Sequence, residues 1–255
     1  MNASGVSGSR PDVVLLHGWG TNAHVWRELA KLLARRYRVH TPALAWETHT
    51  GAHGGNALAR MADRLAAGAP ERCAVCGWSL GGAVAMTWAL RAPGQVTQLA
   101  AIATSACFVQ RPDWPHALEA WSVQDFARGL AREPSAVLTR YIALQARRDA
   151  SAARVARHLR QTLSKAIGAT DTRTLQRGLS LLLETDLRSV LERIRQPVLV
   201  IHGARDAVVP LAAGEYLARA LPNARLSIQS GAGHVPFASD PEGVSAELTH
   251  FFDER

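Results

Sequence analysis

The chain has 255 residues, 47% of them hydrophobic and 20% charged, which supports one large core and excludes an intrinsically disordered protein. Its net charge of +8 comes almost wholly from arginine, Lys31 and Lys165 being the lysines, and such a surface favours acidic partners. The apolar runs are strand-length, far short of the roughly 20 residues that span a bilayer, and residues 1–10 lack the apolar stretch of a secretory signal. A cytoplasmic monomer with no membrane or nucleic-acid partner is expected.

Residues 13–16 read as a strand that runs into His17-Gly18-Trp19-Gly20, and apolar residues recur at helical spacing over 23–35. The alternation continues with a strand over 37–41, a helix over 58–67, a strand over 72–77, a helix over 81–91 that stops before Pro93-Gly94, and a strand over 99–105. Residues 40–56, with their glycines and histidines, read as a loop. This rhythm predicts parallel strands joined by crossover helices. From 112 to 190 only helical periodicity is present, rich in Ala, Leu and Arg, which predicts a helical lid over 112–190 inserted into a core of residues 1–111 and 191–255. Strand character returns at 197–202, followed by a helix over 212–221, a strand over 225–229 and a closing helix over 243–252.

Cys73, Cys76 and Cys107 lie in apolar segments and are expected as buried thiols. Cys73 and Cys76, three apart on a strand, would point to opposite faces. No second pair completes a zinc site, so neither a metal nor an organic cofactor is expected.

Gly77-Trp78-Ser79-Leu80-Gly81 carries the pattern of a nucleophile elbow, a sharp strand-to-helix turn that exposes a serine hydroxyl at the sheet edge. The context fits: a strand precedes Ser79 and Gly81-Gly82 open a helix. Small flanking residues let backbone segments approach closely, and the helix N-terminus offers amides to a developing oxyanion. A serine hydroxyl needs a base, and the base needs an orienting acid. Asp206 follows the strand over 197–202, and His234 follows the strand over 225–229. In a parallel sheet these ends share one edge with Ser79, where open α/β sheets collect their sites. The chain order Ser79, Asp206, His234 is the one expected of α/β-hydrolases. His202, within its strand, reads as a core or supporting histidine. His17 reads as a brace for the glycine-rich loop, whose Gly18-Trp19 backbone is suited to donate an oxyanion N–H beside that of Leu80.

These motifs resemble the α/β-hydrolase superfamily over nearly the whole chain, and within it the pimeloyl-[acyl-carrier protein] methyl ester esterases of biotin synthesis. The narrower resemblance is carried by residues 15–26 (Leu-Leu-His-Gly-Trp-Gly-Thr-Asn-Ala-His-Val-Trp), by Gly77-Trp78-Ser79-Leu80-Gly81-Gly82, by Ser105-Ala106-Cys107-Phe108 with Trp114-Pro115, and by Tyr141-Ile142-Ala143-Leu144-Gln145. It implies an α/β-hydrolase fold, a mostly parallel doubly wound sheet with a helical lid. It implies a catalytic triad of Ser79, Asp206 and His234, an oxyanion site at Trp19 and Leu80, and an acyl channel lined by Tyr141, Ile142, Ala143, Leu144 and Gln145. The implied substrate is a carrier-bound pimeloyl methyl ester, cleaved to methanol and the free acid. One departure is Thr41-Pro42-Ala43-Leu44-Ala45-Trp46, where many relatives have Asp-x-Pro-Gly-x-Gly.

Acyl-carrier proteins are acidic, and a lid bearing Arg140, Arg147, Arg148, Arg154, Arg157 and Arg160 would steer such a partner. Arg140, Arg154 and Arg157 are the candidate contacts, with a solvated helix face as the plain alternative. Trp114 and Trp121 are expected to pack the lid. Three readings stand: a carrier-dependent serine carboxylesterase, a general short-chain esterase, lactonase or C–C hydrolase on the same fold, and a noncatalytic ligand-binding protein of that fold. The triad itself does not choose a substrate. Haloalkane dehalogenases and epoxide hydrolases differ in carrying aspartate where this chain has Ser79.

Overall fold

The computed structural model describes residues 10–45, 57–167 and 172–254. The chain runs through β1 (Asp12–Leu16), a 3-10 turn (Ala23–Trp26), α1 (Arg27–Leu33), β2 (Arg38–His40), α2 (Ala57–Gly68), β3 (Cys73–Trp78), α3 (Leu80–Arg91) and β4 (Val96–Ile102). Helices α4 (Ala120–Arg132), α5 (Pro134–Gln145), α6 (Ala152–Ile167) and α7 (Thr172–Glu184) come next, with a second 3-10 turn (Arg188–Arg193). The chain closes with β5 (Val198–Gly203), α8 (Leu211–Ala220), β6 (Ala224–Gln229), α9 (Pro236–Ser239) and α10 (Pro241–Asp253).

All pairings in the six-stranded sheet are parallel, in the order β2-β1-β3-β4-β5-β6. Every residue of β3 and β5 is buried, as expected for parallel strands covered on both faces. The edge strands β2 and β6 keep exposed positions. Helix α1 packs on α10 and α2 on α3. The strand order reverses between β1 and β3, and ligands bind at such a switch point, outside the carboxyl ends of the strands. The loops leaving those two strands hold Trp19 and Ser79.

Several boundaries moved for local reasons. The helix expected over 23–35 opens as a 3-10 turn, because the Asn22 side chain caps the His24 amide and tightens the first residues. The strand expected over 99–105 runs from Val96 to Ile102 instead. Its polar start is held by Gln98, which donates to the carbonyls of Phe251 and Glu254, and it ends where Ala103 turns to φ 44°. Helix α9 was not expected; Pro236 sits at its start, where a missing N–H is harmless. Helices α4 to α7 lie within the span 112–190. The loop expected over 40–56 is described to Ala45, and Trp46 lies outside the described residues. The three cysteines are buried free thiols. Among the described residues no helix is long and apolar enough to cross a membrane.

Candidate active site

Ser79 caps α3 with φ 54° and ψ −125°, a left-handed conformation that a non-glycine residue adopts only when its surroundings impose it. They do so through three backbone anchors. The Ser79 amide donates to Ile102 O at 2.9 Å, Gly82 N donates to Ser79 O at 2.8 Å, and Thr104 Oγ1 donates to Ser79 O at 2.6 Å. A Cβ at Gly77 would strike the backbone of Gly81 and Gly82, and one at Gly81 would strike the carbonyls of Leu16 and His17. The turn is therefore closed to larger residues at both flanks. Leu80, buried, is the first residue of α3, so its amide belongs to the turn of N–H groups that have no intrahelical acceptor.

The Ser79 hydroxyl lies 3.2 Å from His234 Nε2, and His234 Nδ1 donates to Asp206 Oδ2 at 2.8 Å. That proton on Nδ1 leaves Nε2 free to accept from the serine. The other carboxylate oxygen of Asp206 accepts the amides of Val208 and Val209 at 2.8 and 2.9 Å, which fixes the acid's orientation. Trp78 Nε1 holds the His234 carbonyl at 2.8 Å. His202 Nε2 is 2.9 Å from Val209 O and 3.5 Å from Asp206 Oδ2. Donation to that carbonyl keeps the proton on Nε2, and burial holds the imidazole below its ordinary range.

Ser79 opens into a cavity of about 420 Å³, walled by Trp19, Phe108, Val123, Phe126, Tyr141, Leu179 and other mostly apolar residues. Trp19 is buried, donates through Nε1 to Leu175 O on α7 at 2.7 Å, and meets Tyr141 and Phe126 edge to face. The loop after β1 is thereby tied to the helices between β4 and β5. Burial and the nearby Asp206 charge raise the Tyr141 phenol, which stays protonated. A second hollow of about 520 Å³ lies between the 41–45 segment and α2; Ser79, Asp206 and His234 are not among its lining.

His17 braces the Trp19 loop. Its Nδ1 is 2.9 Å from Gly18 O and its Nε2 accepts the Leu44 amide at 3.0 Å, a pairing that only the neutral imidazole with its proton on Nδ1 satisfies. Burial lowers its pKa from 6.5 to about 4. Between those values the unfolded chain takes up a proton here that the folded chain refuses, so stability is full above pH 6.5 and falls as pH drops toward 4. The loss attached to this residue is about 3 kcal/mol. Denaturant midpoints at pH 7 and 4.5 should differ less in His17→Gln than in the wild type, since glutamine has no proton to gain; equal declines would reject the assignment.

The chain matches the alpha/beta hydrolase fold family over residues 11–241. It belongs to that family. This α/β-hydrolase is 45% identical over 239 residues to the pimeloyl-[acyl-carrier protein] methyl ester esterase of Aromatoleum aromaticum, covering 92% of this chain and 95% of that one. It is 39% identical to the protein of the same name from Nitrosomonas europaea, covering 92% and 93%. Among solved structures, a bromoperoxidase from Bacillus anthracis superposes with a TM-score of 0.84 at 20% identity, covering 97% of this chain and 93% of that one. At that identity the likeness concerns the fold alone.

Within this α/β-hydrolase the expected site residues separate by helix geometry. Tyr141 and Leu144 reach the cavity wall, whereas Ile142 is buried outside it and Ala143 is exposed. The segment forms the last turns of α5, where residues three apart share a face and those between do not. Gln145 is fully buried, and its amide nitrogen and oxygen have no partner among the described residues. Arg140 and Arg157 are exposed, and Arg154 pairs with Glu28 at 3.3 Å. Trp114 packs at the foot of the helices, donating to Cys107 O at 2.9 Å beneath Arg188, whereas Trp121 is 63% exposed and does not pack.

Sequence reasoning missed Asp149. Its Oδ2 accepts the Gly233 amide at 2.6 Å, and its Oδ1 accepts Ser239 Oγ at 2.8 Å and Ser151 N at 2.7 Å. With His234 N donating to Gln145 O at 3.4 Å and Ala150 N to Gly231 O at 2.8 Å, the end of α5 clasps the loop that carries His234. Nothing in the local pattern around Asp149 signals this, because Gly233 and Ser239 lie 84 and 90 positions away.

Proposed function

We propose that this chain is a serine carboxylesterase that hydrolyses the methyl ester of pimeloyl-[acyl-carrier protein], releasing methanol and the free carboxylate. The observation that carries the reading is the hydrogen-bonded series Asp206–His234–Ser79, whose serine lines a mostly apolar cavity. Relatives bearing that activity's name align over nine-tenths of the chain.

Ser79 Oγ attacks the ester carbonyl while His234 Nε2 takes its proton. The tetrahedral oxyanion is held by backbone amides at Trp19 and Leu80. His234 returns the proton to the departing methoxy oxygen, methanol leaves, and the acyl group remains on Ser79. Water, deprotonated by His234, attacks the acyl-enzyme; collapse frees the carboxylic acid and restores the serine. Asp206 keeps the imidazole in the required tautomer and stabilises its protonated form. The apolar wall receives the methylene chain, and helices α4 to α7 act as the lid. Arg140, Arg154 and Arg157 attract the acidic carrier, Arg154 by exchanging Glu28 for a carrier carboxylate.

The test is kcat/KM for pimeloyl-carrier-protein methyl ester against a short free methyl ester, at low and high salt. A strong preference for the carrier-bound ester that weakens with salt is expected, because screening removes the attraction between exposed charges. Equal turnover without the carrier would leave a general esterase and reject the carrier-bound substrate. Failure of a fluorophosphonate to label Ser79 in folded protein would favour a noncatalytic binder.

A further inference from the structure

Arg147 follows the last turn of α5 and is the one charged residue among those lining the Ser79 cavity. It is also the one exposed member of that lining, so it marks the cavity's solvent side. Its guanidinium makes no hydrogen bond or ion pair among the described residues. Arg148 stands beside it, exposed, with φ 65° and no partner for its side chain. The Arg148 carbonyl accepts a hydrogen bond from Arg205 Nη1 at 3.4 Å, which brings a third guanidinium to the backbone next to Arg147. Arg205 directly precedes Asp206, and residues 207–209 line the cavity. The neighbouring acid, Asp149, makes no ion pair with them: its oxygens accept from Gly233, Ser151 and Ser239 instead.

An apolar ligand group at this end would strip water from a guanidinium and return no acceptor, which is unfavourable. An oxyanion there supplies the acceptor, and the planar fork of arginine fits phosphate oxygens in pairs. With the ester at Ser79 and the acyl chain along the apolar wall, the linkage to the carrier must leave on the solvent side. Acyl-carrier proteins hold their cargo on a pantetheine arm joined to the protein through a phosphodiester. We propose that Arg147, with Arg148 and Arg205, forms an anion subsite at the cavity rim that takes this phosphodiester. The subsite rests on the esterase reading. It is separate from the helix-face arginines Arg140, Arg154 and Arg157, which meet the carrier's own acidic residues.

The experiment compares two methyl esters that differ by one phosphate, the pimeloyl thioester of 4′-phosphopantetheine and that of pantetheine, in the wild type, Arg147→Gln and Arg147→Lys. The readout is the ratio of kcat/KM for the two esters within each protein. The wild type should prefer the phosphorylated ester by roughly tenfold or more at low salt. Arg147→Gln should bring the ratio close to one, and Arg147→Lys should keep part of it. A wild-type ratio near one, or an equal loss on both esters in Arg147→Gln, would overturn the subsite. Monomethyl and dimethyl pimelate form a further arm. If Arg147→Gln lost only the preference for the half-ester, the group would read a substrate carboxylate and the phosphodiester assignment would be wrong. Calorimetric binding of S-acyl phosphopantetheine and S-acyl pantetheine to Ser79→Ala reads the subsite without turnover. Total inactivity of the wild type would therefore overturn the esterase reading, while the binding ratio still judges the rim.

Discussion

Ser79→Ala is expected to lower kcat for ester hydrolysis by at least about 10⁴-fold, the scale on which nucleophile removal acts when three groups work as a unit. The change deletes only the Oγ atom. The anchors that hold the elbow all belong to its backbone, in the bonds to Ile102, Gly82 and Thr104, so the turn persists with alanine at φ 54°. The thermal midpoint should consequently shift by no more than about 4 °C. Turnover beside calorimetric unfolding checks both statements. Activity surviving above a tenth of wild type would mean that the reaction does not pass through this serine, and collapse of the unfolding transition would mean that the hydroxyl is structural.

Asp206→Asn is expected to cost nearly as much, about 10⁴-fold in kcat, through a proton in the wrong place. The carboxylate has two separate duties, Oδ1 accepting the amides of Val208 and Val209 and Oδ2 accepting the proton on His234 Nδ1. An asparagine that keeps its oxygen toward the two amides must turn its NH₂ toward His234. Nδ1 must then accept, the proton moves to Nε2, and Nε2 can no longer take the Ser79 proton. Near-neutral turnover should fall far more than KM rises, and Asp206→Glu should recover less than a shape-matched carboxylate would, since both duties depend on the short reach. An Asn variant within tenfold of wild type would remove Asp206 from the mechanism and leave His202 to explain the orientation of His234.

Much of this arrangement was legible along the chain. Strands β1, β3 and β5 are buried on both faces, so they read as continuous apolar runs, and the residues just beyond their ends stand out as polar or glycine-rich. Gly77 and Gly81 carry information because backbone approaches them too closely for any side chain. Strand β4 was harder: Thr97 and Gln98 hide its beginning, and Gln98 is satisfied by carbonyls at the far end of the chain. Residues 141–145 read as a uniform stretch when taken as a motif, yet the helix turns only Tyr141 and Leu144 toward the cavity.

The sequence by itself determined the sheet, the order of Ser79, Asp206 and His234, and the close turn around the serine, because those follow from local periodicity and from glycines placed beside a strand end. Only the tertiary structure decided that Trp19 ties its loop to α7, that Asp149 clasps the loop of His234, and that Arg205 reaches the Arg148 carbonyl next to the cavity-lining Arg147. The physical reason is range. Propensity and hydrophobic period act over a few residues, whereas each of these arrangements joins segments separated by 57 to 156 positions, and chain folding alone brings them within a hydrogen bond of one another.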